Sequence, residues 1–301
     1  MKTLIVPERL NPGDAIGIVA PGGAVDRDKF EPGIKTIKSL GFNVVMPDGL
    51  LDKNGYFSST DEIRAGHITS FFSDKKIKAI LCARGGYGSI RLLEKLDYDL
   101  IRKNPKIFVG FSDITILLSA IYLKSKIVTF HGPMVSTLAG SDQFSLEALN
   151  RAVTQAENLK INLSKAIIVK PGKATGRIIG GNLSSLCNLI GTEYNINYRD
   201  HILFLEDRGE AIYRIDRMAM HLKLAGCFSG LRGLILGSFE ECGDYSDIIN
   251  IFKEALNDID MPIMAGLDVG HGKTNITIPI GIRATIDTSN KVLYFNQSAI
   301  C

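Results

Sequence analysis

The sequence has no tryptophan, only five cysteines and no long apolar run, and each shortage excludes a class of protein. The cysteines are scattered without a C-x-x-C pair, a pattern typical of reduced thiols rather than of a disulfide framework or a zinc site. No stretch approaches the roughly 20 apolar residues that a transmembrane helix needs. The segment 1–9 is too short and too soon interrupted to be a signal peptide. We therefore expect a soluble cytoplasmic protein without a membrane partner.

The chain also has little excess of charge of either sign. The formal net charge is +3 over 301 residues, and the basic residues form no cluster. Nucleic-acid-binding proteins concentrate Lys and Arg on one face and often add aromatic rings on which bases stack. Since the chain lacks a basic cluster and has only 8% aromatic residues, we expect no nucleic-acid partner.

The composition is that of a globular protein long enough for two domains, with 45% hydrophobic and 22% charged residues. In the first half, short apolar runs alternate with helical patterns, which is typical of a Rossmann-like or flavodoxin-like domain with a mainly parallel sheet. Near the C-terminus, three predicted strands crowd together between 275 and 295. The predicted α/β fold has an N-terminal domain over 1–140, a linker over 141–175, and a C-terminal domain with a β-barrel-like element over 176–301.

Two helix starts in the first half are predicted from local signals. Pro32 stands near the start of the helix predicted over 28–40, so we place it in the first turn, where its missing N–H costs no hydrogen bond. Ser59 together with Glu62 matches a capping box, which predicts a helix from there to about Phe72.

A serine stands at the corner between a predicted strand and a predicted helix, in the run Gly110-Phe111-Ser112-Asp113-Ile114. In a nucleophile elbow the side chain leaves the carboxyl edge of the sheet, and the following backbone N–H faces the developing oxyanion. The usual elbow is G-x-S-x-G, and Ile114 replaces its last glycine. Serine is also a favoured N-cap, and Ser112 taken alone fits capping better than catalysis.

A nucleophilic serine needs a histidine base and an acid that orients it. Of the five histidines, His131 and His271 each follow a predicted strand and stand beside glycine. Glu206 and Asp207 directly follow a buried apolar run, which would deliver a carboxylate to a sheet edge. A salt bridge with Arg208 is the structural alternative for these two carboxylates.

Six short motifs that follow one another in the chain carry a resemblance to a known family. They are Ala83–Gly88 (ARGGYG), Gly110–Asp113 (GFSD), His131–Met134 (HGPM), Gly180–Leu183 (GGNL), Leu205–Asp207 (LED) and Gly270–Gly272 (GHG). In this order they resemble the LD-carboxypeptidase family of serine peptidases, which also includes the microcin-immunity hydrolases. The resemblance extends over nearly the whole chain, and the set is far more specific than any single motif.

The resemblance implies a Ser–His–Glu triad formed between two domains, with Ser112 as nucleophile, His271 as general base and Glu206 as its orienting acid. It also implies an oxyanion hole of backbone amides, with Asp113 and Gly86 in the corresponding places. Gly85 and Arg84 stand beside them. Arg84 could bind the carboxylate of the substrate, and surface solvation is the alternative for this side chain.

The reaction implied by the resemblance is removal of the terminal D-alanine from a murein tetrapeptide, through cleavage of the L,D bond at the diaminoacid. It proceeds through an acyl-enzyme with no metal or cofactor, and it would serve peptidoglycan recycling by a cytoplasmic homodimer. Hydrolysis of acyl-sulfamoyl adenylates is the main alternative. A non-catalytic two-domain binding protein would not need all three triad residues. A dinucleotide enzyme is disfavoured because no glycine run matches G-x-G-x-x-G.

Overall fold

The computed structural model describes residues 3–301, so the first two residues of the N-terminal segment lie outside it. The chain divides into two compact units. Unit 1 comprises the chain up to Ala156 together with Ile276–Pro279 and Ala299–Cys301, and unit 2 comprises Glu157–Asn275 and Ile280–Ser298. The domain boundaries at 140 and 176 stay a prediction.

The strands and helices of residues 3–301 alternate along most of the chain. The strands are β1 (Ala15–Val19), β2 (Asn43–Val45), β3 (Ile77–Cys82), β4 (Ile107–Gly110), β5 (Thr129–His131), β6 (Lys160–Asn162), β7 (Ile167–Lys170), β8 (Lys173–Asn182), β9 (His201–Arg208), β10 (Gly233–Glu240), β11 (Ile263–Ala265), β12 (Ile278–Ile280), β13 (Arg283–Asp287) and β14 (Val292–Phe295). The α-helices are α1 (Arg27–Ser39), α2 (Asp61–Ser73), α3 (Tyr98–Lys103), α4 (Thr115–Ala120), α5 (Val135–Leu138), α6 (Gln143–Thr154), α7 (Leu183–Cys187), α8 (Ile212–Leu224) and α9 (Tyr245–Ala255). Short 3-10 helices cover Ser89–Lys95 and Ser112–Ile114, and a π turn covers Ile121–Ser125.

The sheet of unit 1 has the order β12-β5-β4-β3-β1-β2, and its neighbours from β5 to β2 pair in parallel. Its central strands β3 and β4 are apolar runs buried on both faces, as parallel strands covered by helices require. Because β1, β3 and β4 run in one direction, the loops that follow Val19, Cys82 and Gly110 emerge at the same edge. The predicted mainly parallel sheet is confirmed.

The sheet of unit 2 has the order β6-β14-β13-β8-β9-β10-β11-β7. Its four middle strands, β8 to β11, are parallel. The outer strands pair antiparallel, β13, β14 and β6 on one side and β7 on the other. The predicted barrel-like element is thus an open mixed sheet, and it shows no closure within residues 3–301. The α/β fold class is confirmed.

Two local predictions are wrong by small amounts. Helix α1 begins at Arg27 under an Asp26 cap, so Pro32 lies inside the helix rather than in its first turn. The hydrogen bond lost at Pro32 is tolerated because the helix buries Phe30, Ile34 and Ile37.

The second error concerns the start of α2. Its N-cap is Thr60, whose side chain accepts from the Ile63 N–H, and not Ser59. Both residues carry the hydroxyl that a cap needs, so the motif does not decide between neighbours.

Two features of the structure concern membrane spans and disulfides, namely the lengths of the helices and the state of the cysteines. Among residues 3–301 no helix is long and apolar enough to cross a membrane. All five cysteines are free thiols, and three of them, Cys82, Cys227 and Cys242, are buried.

Candidate active site

Ser112 has a backbone conformation that L-residues rarely adopt. It follows β4 after one intervening residue, and its φ is +61°, one of five positive values among the described non-glycine residues. Such a conformation costs of order 1–3 kcal/mol and persists where the surrounding structure imposes it, which happens frequently at active sites. A sharp strand-to-helix turn with a strained serine is the geometry of a nucleophile elbow.

The capping role that Ser112 alone favoured is wrong. The 3-10 helix Ser112–Ile114 has Phe111 as its N-cap, and no side chain caps it. Gly110 explains the tight corner, since a Cβ there would lie 2.6 Å from the Ile114 side chain. Ile114, which replaces the last glycine of the usual motif, therefore packs into the space that Gly110 leaves open.

Two glycines from neighbouring loops surround the serine. A Cβ on Gly85 would lie 3.0 Å from the Ser112 Cβ and 3.2 Å from its Oγ. A Cβ on Gly22 would lie 2.7 Å from the carbonyl oxygen of Gly85. Any larger residue at these positions would therefore crowd the hydroxyl or the loop beside it, and the glycines keep the approach to Ser112 open.

The predicted oxyanion donors lie in this loop layer. Neither the Asp113 nor the Gly86 backbone N–H has a hydrogen-bond acceptor within residues 3–301. Gly86 has φ +97°, which favours glycine and turns the chain beside the Gly23 backbone. Two backbone N–H groups without a protein acceptor can bind an oxyanion.

The Asp113 side chain is structural. It is buried, and its Oδ2 accepts a hydrogen bond of 2.9 Å from the Ser89 N–H. Burial raises the pKa of this carboxyl, against the opposing hydrogen bonds from Ser89 and Gly88 and the charge of Arg64. Asp113 thus ties the serine corner to the start of the helix Ser89–Lys95.

Arg84 is partly committed to the protein. Its Nη1 donates to the Ala24 carbonyl at 2.9 Å, and the residue is half-buried. Solvation at the surface therefore does not describe this side chain. A role in binding a substrate carboxylate stays a prediction.

Unit 2 places Glu206 against His271. Glu206 stands near the end of β9 with no exposed surface, and its Oε2 lies 2.6 Å from His271 Nδ1. Gly270 makes this approach possible, because a Cβ there would lie 2.4 Å from the same carboxylate oxygen. A carboxylate on Nδ1 directs Nε2 of the ring away from Glu206, as a histidine base requires.

The pKa of His271 is raised. Burial is the largest single influence and would lower it, but the hydrogen bond to Glu206 and the charges of Glu206 and Asp207 together outweigh burial. The imidazolium that forms when His271 takes a proton is therefore stabilised by its carboxylate partner.

Asp207 has a different function from its neighbour. It is buried, and it accepts from the Asn182 side chain at 2.8 Å and from the Ser184 N–H at 2.9 Å, at the start of α7. Burial raises its pKa to about 6, against these hydrogen bonds. The alternative of a salt bridge between the two carboxylates and Arg208 is wrong, because the Arg208 guanidinium pairs with Glu241 at 2.6 Å.

Sequence reasoning missed two polar residues that shape the His271 loop. Ser238 Oγ donates to the Val269 carbonyl at 2.9 Å and accepts from the Gly272 N–H at 3.1 Å. Asn275 Oδ1 accepts from the Gly270 N–H at 2.9 Å. The available signal for Ser238 was its position near the carboxyl end of β10, the parallel neighbour of the strand that carries Glu206.

The structure brings the predicted residues together in two groups. Ser112, Asp113 and Arg84–Gly86 lie at the carboxyl edge of the unit 1 sheet. Glu206 and His271 form a hydrogen-bonded pair in unit 2. The other glycine-flanked histidine, His131, is fully buried edge-on to Phe111, with ring centroids 5.8 Å apart.

Both parts of the chain match models of one protein family. Residues 16–132 match the LD-carboxypeptidase N-terminal domain, and residues 175–286 match the LD-carboxypeptidase C-terminal domain. The chain is 35% identical to a probable murein peptide carboxypeptidase of Bacillus subtilis, over 95% of this chain and 92% of the relative. It is 30% identical to the microcin C7 self-immunity protein MccF of Escherichia coli, over 93% and 92%.

Solved structures show the same likeness. An MccF-like protein from Bacillus anthracis superposes with a TM-score of 0.92 at 30% identity, covering 97% of this chain and 99% of the other. A muramoyltetrapeptide carboxypeptidase from Oxalobacter formigenes superposes with a TM-score of 0.82 at 29% identity, covering 93% and 97%.

Proposed function

We propose a specific reaction for this chain, which belongs to the LD-carboxypeptidase family and is therefore a serine peptidase. The proposed reaction is release of the terminal D-alanine from a murein tetrapeptide. Ser112, His271 and Glu206 act as its catalytic triad. The observation that carries this proposal is the 2.6 Å contact between His271 Nδ1 and the fully buried Glu206, in a chain that also holds a serine at φ +61°.

The proposed mechanism has two halves. Ser112 Oγ attacks the carbonyl carbon of the bond between the diaminoacid and D-alanine, while His271 Nε2 takes its proton. The oxyanion accepts hydrogen bonds from the Asp113 and Gly86 N–H groups. His271 then gives the proton to the nitrogen of the departing D-alanine, which leaves the peptide bound to Ser112 as an ester.

In the second half, water attacks the ester carbonyl and His271 takes the proton of that water. The proton returns to Ser112 Oγ as the acyl bond breaks, and the shortened peptide leaves with a new carboxylate. Glu206 holds the imidazole through Nδ1 and stabilises its charged form in both halves. Ser112 and His271 end in the state in which they began, and the net reaction is hydrolysis of one amide bond by one water.

The test is D-alanine release from a murein tetrapeptide. We expect activity in the native protein and its loss by about 10³-fold or more in Ser112→Ala, His271→Ala and Glu206→Ala. His221→Ala is the matched control, because His221 is an exposed histidine on α8 and should retain full activity. Circular dichroism shows whether each variant is folded. Full activity in Ser112→Ala would overturn the triad, and an inactive native protein would overturn the substrate.

Acyl-sulfamoyl adenylates are the second candidate substrate. A structure of MccF with aspartyl sulfamoyl adenosine superposes on this chain with a TM-score of 0.92 at 27% identity. The chain has no tryptophan, so a ring that stacks on adenine would have to come from another aromatic residue. Release of the aminoacyl group from such a compound, compared with D-alanine release at equal concentration, ranks the two substrates.

We also propose a cellular location and an oligomeric state for this protein. Turnover of murein fragments during peptidoglycan recycling fits a cytoplasmic enzyme, and a homodimer is the proposed assembly. Cell fractionation measures the first, and sedimentation velocity measures the second.

A further inference from the structure

Two exposed tyrosines lie beside a phenylalanine in unit 1, with their rings tilted to one another. The rings of Tyr56 and Phe57 have centroids 4.2 Å apart, and Tyr87 lies 6.1 Å from Tyr56 and 6.0 Å from Phe57. Tyr56 is 64% exposed and Tyr87 is 51% exposed. We call these three residues the aromatic cluster. Grouped exposed rings are unusual on a protein surface and mark binding sites more often than isolated ones do.

The aromatic cluster is held in place by backbone and by cations. The Ala24 N–H donates to the Tyr56 carbonyl at 3.0 Å. The Arg64 and Arg91 guanidinium groups lie 4.7 Å and 5.3 Å from the centre of the Phe57 ring. The Tyr56 backbone and the Phe57 ring are therefore preorganised, which lowers the entropic cost of binding a ligand.

Asp61 compensates one of the two positive charges of these arginines. Arg64 pairs with Asp61, and Arg91 Nη2 lies 2.8 Å from the same carboxylate. Arg64 itself is buried, and it also donates to the Pro21 and Gly88 carbonyls. Both guanidinium groups are thus engaged with Asp61, and the ring faces are the surface that the aromatic cluster offers to a ligand.

A short path connects the aromatic cluster to the nucleophile. The Gly23 N–H donates to the Gly85 carbonyl at 2.9 Å, and Gly85 is the residue that packs against Ser112. Gly23 also forms a β-bridge with Phe57. Tyr87 stands two residues after Gly85, a span of at most about 7 Å of chain. The rings therefore lie beside the serine corner, on the loops that shape it.

The tyrosines present both apolar and polar surface. Within residues 3–301 neither the Tyr56 nor the Tyr87 hydroxyl has a hydrogen-bond partner. Ring faces bordered by free hydroxyls match a ligand with an apolar face and polar edges. A pyranose sugar has this character, because its axial C–H groups form one face and its hydroxyl and amide groups form the rim.

We propose that the aromatic cluster is a subsite for the sugar ring of a muramoyl peptide. This inference rests on the proposed function, because the sugar is attached to the peptide that Ser112 would cleave. Three amino-acid residues separate the scissile bond from the muramoyl group, about 10 Å of extended chain. That length allows a sugar to reach Tyr87 and Tyr56 while the scissile carbonyl lies at Ser112, since Tyr87 follows Gly85 by two residues and Gly85 packs against Ser112.

The test compares one peptide with and without its sugar. We expect Tyr56→Ala and Tyr87→Ala each to lower kcat/KM for N-acetylmuramoyl tetrapeptide about fivefold to tenfold. The loss should appear mainly in KM, and kcat/KM for the free tetrapeptide should stay unchanged. Tyr213→Ala is the matched control, because Tyr213 is a tyrosine of unit 2 that is 56% exposed. Equal losses on both peptides, or no loss on either, would overturn the subsite.

A binding measurement separates this inference from the proposed function. Saturation-transfer NMR with N-acetylmuramic acid methyl ester, a neutral sugar probe, should show contact with the native protein and reduced contact in Tyr56→Ala. If the native protein hydrolyses neither peptide but still binds the probe through Tyr56, the proposed function falls and the subsite stands. If adenosine binds through Tyr56 and the sugar probe does not, the subsite belongs to a nucleobase and the inference is wrong.

Discussion

The serine corner of unit 1 and the carboxylate–histidine pair of unit 2 are positioned by different means. Ser112 is held by its backbone, with φ +61° and with glycines in the neighbouring loops where a Cβ would crowd it. Glu206 and His271 are held by side-chain hydrogen bonds, among them the contact of 2.6 Å between them. A nucleophile must expose its side-chain oxygen, so Ser112 is positioned through its backbone. A histidine base uses only one ring nitrogen, so His271 can be positioned by a hydrogen bond to the other, Nδ1.

The largest expected effect is that of removing the charge which supports the base. Glu206→Gln keeps the shape of the side chain but cannot stabilise the imidazolium, and we expect kcat to fall by about 10³–10⁴-fold. The measurement is D-alanine release under saturating substrate, with circular dichroism as a folding control. A fall of less than about tenfold would mean that Glu206 is not the orienting acid.

The same variant should also shift the pH profile. The pKa of His271 is raised above its ordinary value of 6.5, so kcat/KM should fall as the pH falls through that raised value and the ring becomes protonated. Glu206 favours the charged ring, and its replacement by Gln therefore lowers the pKa of His271. The acid limb of the residual activity of Glu206→Gln should move to lower pH, and an unmoved limb would assign it to another group.

Gly270→Ala should break the contact between acid and base by steric means. The added Cβ would lie 2.4 Å from Glu206 Oε2, at a φ of +109° that favours glycine. We expect roughly a hundredfold loss of kcat and a loss of about 1–3 kcal/mol in the free energy of unfolding.

Gly272→Ala is the matched control for this change. Its Cβ would meet no heavy atom closer than 3.3 Å, and its φ lies outside the left-handed region. Equal losses in the two variants would show that the loop tolerates no side chain anywhere, and the contact with Glu206 would then not be the cause.

A smaller effect is expected at the support of the histidine loop. Ser238→Ala removes two hydrogen bonds, to the Val269 carbonyl and from the Gly272 N–H, each worth about 0.5–1.5 kcal/mol. We expect kcat to fall several-fold while KM changes little, because Ser238 positions His271 and does not contact the substrate. Ser229→Ala, an exposed serine, is the control. An unchanged kcat would show that Asn275 suffices to hold the loop.

The smallest expected effect concerns the strain at the serine corner. Glycine adopts positive φ freely, so Ser112→Gly should be more stable than Ser112→Ala by about 1 kcal/mol, although both variants are inactive. Urea unfolding of the two variants measures the difference. Equal stabilities would mean that the corner is not strained, and that the backbone of Ser112 contributes less to positioning than the glycines around it.

Short-range patterns predicted a large part of the fold. Strands β13 and β14 have the predicted bounds, since β13 alternates polar and apolar residues and β14 is a continuous apolar run. Helix α9 was not predicted, although Asp244 caps it and Ile248, Phe252 and Ala255 form its buried face. The cap and the i, i+4, i+7 spacing of these apolar residues are a local helix signal, so this helix was within reach of the sequence and was missed.

The candidate site also contains residues that were predicted from the sequence and residues that were not. Ser112, Glu206 and His271 stand in glycine-flanked motifs or at the end of an apolar run, and their roles as a triad were predicted from the resemblance to the LD-carboxypeptidase family. Ser238 was not predicted, because its partners Val269 and Gly272 come from a separate segment of the chain. Asn275 was not predicted either, although its partner Gly270 is only five residues away, because the conformation of the His271 loop decides that contact. A hydroxyl or amide becomes a support only when folding brings a carbonyl or an N–H group to it.

By itself, the sequence determined the parallel sheet of unit 1, the order of the serine, the acid and the histidine, and the glycines around them. The strands and the glycine positions are local, since apolar periodicity and glycine act over a few residues, and the order of the three residues is given by the chain itself. Only the tertiary structure decided that Ser112 is strained rather than capping, and that Glu206 contacts His271 while Asp207 supports the start of α7. The physical reason is that each of these outcomes depends on atoms far apart in the chain, which packing alone brings within hydrogen-bonding distance.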